Sequence, residues 1–150
     1  MAQLVLRRGD TRAWNLHVVD PTGAPVSLVG ATVWWTVRPT VPADPRHDLP
    51  DAEAIVHAWL VHNGTIVTDS GVTAPDGTSG GTFAATDAAG GVLALTLYPR
   101  LTTQLPSVPP GTTGPWHYDV QVMRGADAVR TYDDGTLRVL ADVTRRTVVP

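Results

Sequence analysis

Apolar residues in this chain recur at every second position, in short runs, and no long segment sustains the 3.6-residue period of a helix. Trp14, Leu16 and Val18 alternate with Asn15 and His17. Val33, Trp35 and Val37 alternate with Thr32, Trp34, Thr36 and Arg38, and Trp116, Tyr118, Val120 and Val122 with His117, Asp119 and Gln121. A period of two puts one face of a β-strand in a core and the other outside it. Fourteen Gly and thirteen Pro interrupt the runs, so the strands are short and turns are frequent. A chain of 150 residues has room for one core. The expected fold is all-β: a single domain over residues 1–150, built as a two-sheet antiparallel β-sandwich, immunoglobulin-like or jelly-roll-like, with long Pro/Gly-rich loops. Val33, Trp35, Leu95, Tyr118, Val120, Val122, Leu137 and Val139 are expected to meet in the core between the sheets.

Strands are predicted at 5–8, 12–20, 31–38, 55–62, 65–68, 92–98, 116–123, 129–132 and 136–143, with a short extended piece at 26–28. Asn63-Gly64 is the dipeptide of a two-residue type I′ hairpin. Asp133-Asp134-Gly135 reads as a turn between the last two strands. Residues 39–50 hold four prolines and form an exposed loop, because proline cannot donate to a central ladder. Residues 70–91, rich in Gly, Ala, Thr and Asp, read as a long, partly irregular insertion with one weak strand around Phe83. Residues 102–105 fit a single helical turn.

The absence of Cys removes disulfides, thiolate metal sites and cysteine nucleophiles together. A net charge of −3 has the wrong sign for a protein that grips phosphate backbones, so nucleic acid is not an expected partner. No run is long and uninterrupted enough to be a membrane span, and Arg7 and Arg8 follow the first apolar residues too soon for a signal peptide, so the chain is expected to be soluble and not secreted.

Glu53 is the single glutamate, which leaves only aspartates for paired-carboxylate chemistry; the adjacent Asp133 and Asp134 are explained as turn residues pointing to opposite sides. No nucleophile elbow, zinc-binding helix motif, phosphate-binding loop or dinucleotide fingerprint is present. His17, His47, His57, His62 and His117 lie on different faces and are read as solvated rather than as ligands. Asn63-Gly64-Thr65 matches a glycosylation acceptor, but its hairpin role accounts for it. No catalytic residue, cofactor or metal is therefore expected.

Trp14, Trp35 and Trp116 lie on apolar strand faces and belong to the core. Trp34 shares its face with Thr32, Thr36 and Arg38, so it is expected to stand outward, where a large aromatic marks contact with something. Trp59 has apolar neighbours on both faces. The residues expected at a protein interface are Trp34, Arg38 and Trp59, His47 in the Pro-rich loop, and Arg145 and Arg146 in the polar segment after the last strand.

Several pieces, in order, resemble one family. Arg8-Gly9-Asp10-Thr11, Val18-Val19-Asp20-Pro21-Thr22-Gly23-Ala24-Pro25-Val26 and Leu28-Val29-Gly30-Ala31-Thr32-Val33 are similar to the front half of the β-sandwich domain of siphophage upper baseplate and tail-fibre proteins. Val92-Leu93-Ala94-Leu95-Thr96-Leu97, Leu101-Thr102-Thr103-Gln104-Leu105-Pro106, Trp116-His117-Tyr118-Asp119-Val120-Gln121-Val122, Gly135-Thr136-Leu137-Arg138-Val139 and Asp142-Val143-Thr144-Arg145 resemble its closing half. The resemblance implies a structural virion protein of a tailed phage, such as a minor tail protein, assembled in the host cytoplasm. It would act without catalysis, through contacts with other virion proteins, as a symmetric homo-oligomer or ring component. Baseplate members usually continue into a helical linker and a further domain, whereas this sequence stops near Pro150 and its segments at 39–50 and 70–91 are long. Capsid decoration, a place at the head–tail connection, and carbohydrate binding for host attachment are the alternatives.

Overall fold

The computed structural model describes residues 2–39, 54–64, 66–109, 115–124 and 129–141. Within them the alternating runs become β1 (Ala2–Arg7), β2 (Arg12–His17), β3 (Ala31–Arg38), β4 (Val56–Asn63), β5 (Ile66–Thr73), β6 (Ser79–Asp87), β7 (Val92–Leu97), β8 (Trp116–Arg124) and β9 (Arg130–Leu140). A four-residue helical turn, α1 (Pro99–Thr102), lies between β7 and β8. Proline at its first position fixes φ where no N–H is needed.

The fold is all-β. Its hydrogen bonding does not divide the strands into two sheets: all nine form one mixed sheet in the order β1-β9-β8-β3-β4-β5-β6-β7-β2. The pairing is antiparallel except where β1 lies parallel to β9. Tight turns enforce antiparallel neighbours. The opening strand is not turn-linked to β9 and enters beside it in the same direction.

The two end strands of this order, β1 and β2, are consecutive in the chain, so the sheet curls until it is nearly closed. Arg12 Nε donates to the Val5 carbonyl across the remaining gap at 3.0 Å. The connection between them is held from below by α1: Gly9 N–H donates to Thr102 Oγ1 at 3.1 Å, and the same hydroxyl donates to the Asp10 carbonyl at 3.0 Å. Thr102 is fully buried, and this pair of bonds satisfies it.

All eight expected core residues are buried, together with Trp14, Trp116, Phe83, Leu93, Leu97 and Leu101. Trp14 of β2 meets Trp35 of β3 with ring centroids 6.2 Å apart, and Trp35 meets Tyr118 of β8 at 6.2 Å. An end strand thus touches the central strands across the interior. Each such large apolar side chain contributes about 1.5–3 kcal/mol on burial.

Three local expectations are corrected. Asp133-Asp134-Gly135 is not a turn but lies inside the continuous strand β9, which is paired on both sides, to β8 and to β1. The two ladders outweigh the local turn preference, and Gly135 is paired with Tyr118 on one side and Ala2 on the other. Residues 70–91 are more regular than expected: the strand around Phe83 is the nine-residue β6, and the segment also holds the end of β5 and the β5–β6 turn. In that turn the Asp76 carboxylate accepts from the Thr78 N–H at 3.0 Å and its hydroxyl at 2.6 Å. Residues 26–28, expected as a short extended piece, lie outside the named strands; Val26 N–H donates to the Val18 carbonyl at 2.9 Å, Leu28 N–H to the Ala88 carbonyl at 2.8 Å, and Leu28 is buried in the core. Asn63 is not a central residue of a type I′ turn: it ends β4, paired with Ile66 and without a positive φ, and of the pair Gly64 alone takes one, at 64°.

Candidate functional site

Because Val33, Trp35 and Val37 point inward, β3 turns Thr32, Trp34, Thr36 and Arg38 to the outside of the sheet. On β4 the inward set is Val56, Ala58 and Leu60, and the outward set is His57, Trp59 and Val61. Register then decides which outward groups meet. Trp34 lies opposite Trp59 on one side and Gln121 on the other, and Trp59 lies opposite Gly71. One row, Gln121-Trp34-Trp59-Gly71, therefore crosses four strands.

Neither Trp34 nor Trp59 belongs to the core, and both are half-buried on the outer face. Trp59 lies across Gly71: a Cβ there would stand 2.7 Å from Cη2 and Cζ2 of the indole. Glycine at 71 makes room for the ring. Register, rather than any local motif, sets the two tryptophans side by side on the outer face.

The next row is polar: Asp119, Thr36, His57 and Thr73. The Thr36 hydroxyl donates to Asp119. Gln121 Nε2 lies 3.4 Å from Asp119 Oδ2 and 3.5 Å from Thr131 Oγ1. Asp134 lies opposite Asp119, so this rim carries negative charge. Thr36 and Arg38 do not stand in solvent as expected: they are 5% and 7% exposed. For Thr36 the partner is Asp119 on the neighbouring β8, a contact that the alternation within β3 does not show.

His47, Arg145 and Arg146 lie outside the described residues. His57 is on the outer face and half-buried, whereas His62, expected to be solvated, points inward and is buried, with Nδ1 3.3 Å from the Ala31 carbonyl. Asp133 and Asp134 do point to opposite sides, but from mid-strand. Asp133 faces inward beside Val120, and the Tyr118 hydroxyl donates to it at 3.4 Å. Burial raises the Asp133 carboxyl above the usual range, and burial with the neighbouring Asp133 raises the Tyr118 phenol.

A separate cleft at the end of β8 and β9 is lined by Arg124, Arg130, Tyr132 and Asp20. The Asp20 carboxylate is engaged in its own turn, accepting from Thr22 and Ala24, and these bonds lower its pKa. Among the described residues no three His, Asp or Glu side chains are grouped to hold a metal ion, and no helix is long and apolar enough to cross a membrane.

The residues that join Trp34 in this site, Gln121 beside it, Gly71 beside Trp59 and Asp119 beside Thr36, escaped sequence reasoning. Their alternation in β8 showed that Asp119 and Gln121 point outward, but nothing local shows that β8 and β4 flank β3. No family model and no curated protein matches the chain.

Proposed function

We propose that this chain is a structural protein of a tailed-phage virion, an adaptor in the tail, baseplate or tail fibre, that works by protein–protein contact through the outer face of β3 and β4. The observation that carries the contact surface is the in-register pair Trp34 and Trp59, held outside the core on a rigid sheet. Paired aromatics with a polar rim are the composition of interface hot spots, and rigid strands lose little entropy on docking. The ordered resemblance to upper baseplate and tail-fibre domains supplies the virion setting, by analogy of sequence pattern. In this reading β1, β9, β8, β3 and β4 form one layer and β6, β7 and β2 the other of a sandwich joined at the β5–β6 corner. The chain carries no catalysis, cofactor or metal, and its partners are other virion proteins in a symmetric assembly. Capsid decoration and the head–tail connection are other positions for the same kind of contact.

The test is Trp34→Ala and Trp59→Ala, singly and together, in a particle-assembly assay. The expected result is an unchanged fold with loss of incorporation, each anchor contributing about 2 kcal/mol or more to the contact. Normal incorporation of the double variant overturns the reading. One observation favours a second function: two coplanar-strand tryptophans beside Asp119, Gln121 and His57 also suit the apolar face and hydroxyls of a sugar. Glycan-array binding that vanishes in the double variant, with assembly intact, selects carbohydrate recognition instead.

A further inference from the structure

The cleft at the end of β8 and β9 has a volume of about 670 Å³, the size of a small-molecule site. Strand register explains its charge. Val122 is an inward, buried residue of β8 and Arg124 follows it by two, so the two side chains leave the same face of the strand. Arg130 pairs with Val122 and joins that face from β9. The arginines are therefore diagonal neighbours, about 7–8 Å apart, and both are exposed where the inner face of the sheet opens to solvent. Tyr132 arrives by a bulge. Asp133 pairs with Val120 and Thr131 with Gln121, so Tyr132 is an extra residue with no partner opposite; its ring packs against the core and lines the cleft. Bulges re-aim side chains in this way beside binding sites.

The rest of the lining, Asp20, Pro25, Val26 and Ser27, comes from the segment between β2 and β3. Arg124 Nη2 donates to the Ser27 carbonyl and so ties this segment to β8. Among the described residues neither Arg124 nor Arg130 is paired with a carboxylate. Asp20 is committed on one side only. Its Oδ1 accepts from the Thr22 N–H and hydroxyl and from the Ala24 N–H, which keep the group ionised, while Oδ2 accepts no bond from the described residues. Two guanidiniums against one fixed carboxylate leave the cleft with a single net positive charge, and Pro25, Val26 and Val122 give it apolar surface.

We propose that this cleft binds a small hydroxycarboxylate, the chemistry of a uronic acid, with its carboxylate held between Arg124 and Arg130. Planar guanidiniums match a carboxylate in fork geometry, and two like charges on one face are relieved by an anion between them. One net positive charge suits a carboxylate, whereas a phosphate carrying about −1.5 to −2 is repelled by Asp20. Asp20 also decides the rest of the ligand. Its Oδ2 needs a donor, so hydroxyls belong on that side, and a purely apolar acid would leave the Asp20 carboxylate desolvated and unpaired. Pro25, Val26 and Val122 seat the carbon skeleton. The site lies on the inner side of β8 and β9, whereas Trp34 stands on the outer side of β3, so this binding is independent of the tryptophan face.

The test is an NMR titration of the full chain with D-glucuronate, D-glucose and inorganic phosphate. Glucuronate is expected to shift the amides of Val26, Ser27, Arg124, Arg130 and Tyr132 saturably, with a Kd on the order of 1 mM. Arg130 is exposed, so Arg130→Gln keeps the fold, checked by circular dichroism, and is expected to weaken binding about tenfold or more. Arg130→Lys, which keeps the charge but not the fork, serves as a second variant and is expected to weaken it by a smaller factor. Glucose, which lacks the carboxylate, is expected to leave these amides unmoved, and phosphate to bind at least about fivefold more weakly than glucuronate. The proposal is overturned by any of four results: no saturable shift up to about 50 mM glucuronate, equal shifts from glucose, phosphate binding as tight as glucuronate, or undiminished binding in Arg130→Gln.

Discussion

Gly81 and Asp133 show how single residues carry the fold. At Gly81 β6 passes so close to β7 that a Cβ would stand 2.0 Å from the Thr96 carbonyl oxygen, which is backbone and cannot turn aside. Gly81→Ala is therefore expected to destabilise by about 2–3 kcal/mol and lower the melting temperature by roughly 5–10 °C. Asp133 is a different case, an inward carboxyl in mid-strand whose pKa is raised mainly by burial. Its contribution to stability is complete below the ordinary carboxylate pKa, where it is protonated in both states, and is lost as the pH rises through the raised folded-state value. Asp133→Asn removes that loss. The variant is expected to melt above the parent near about pH 7, and the difference should disappear as the pH falls through the carboxylate range. A constant difference across that range would show that the carboxyl does not titrate in the way its burial implies.

β9 separates what its own residues say from what its neighbours decide. Locally, Asp133-Asp134-Gly135 has every property of a turn, yet it continues as strand because β8 and β1 supply ladders on both sides. Thr136→Pro distinguishes the two. After a turn it would occupy the first strand position, which tolerates proline. In the middle of a doubly paired strand it is expected to cost about 3 kcal/mol or more, measurable by denaturant unfolding. The same division governs legibility elsewhere. β3 was readable to the residue, and β8 nearly so, because their alternation is itself the burial pattern. β5 was legible only at its start, 66–68, and β6 only around Phe83: Gly80, Gly81, Ala84 and Ala85 are small and weakly patterned, and the strand state of β6 comes from pairing with β7. For the candidate site, the outward face of Trp34 was legible from its neighbours in sequence. The position of Trp59 beside it, and the burial of Thr36 and Arg38, depend on which strands lie adjacent, a property of topology that no local pattern contains.

Over the whole molecule the deciding feature is closure. A nine-stranded sheet held only by its successive ladders would leave β1 and β2 as opposite free ends, but the chain joins them directly and locks the join with side chains. Arg12 does two things there: its Nε reaches the Val5 carbonyl at 3.0 Å, and its guanidinium lies 5.5 Å from the Trp14 ring centroid. Thr102, buried beneath, ties the connection to α1. Arg12 is solvent-exposed, so its loss removes a bridge without opening a cavity. Arg12→Ala is accordingly expected to cost about 1 kcal/mol, the sum of a screened charged hydrogen bond and a surface cation–π contact. The location of the effect matters more than its size. β1 is held by one parallel ladder to β9, whereas β3 is held on both sides at the centre of the order. Native-state hydrogen exchange in Arg12→Ala should therefore quicken first at amides of β1 and β2, by local opening, while amides of β3 and β8 slow or hasten only with global stability. Uniform acceleration across all strands would mean that the sheet opens as one unit and that the β1–β2 join is not its seam.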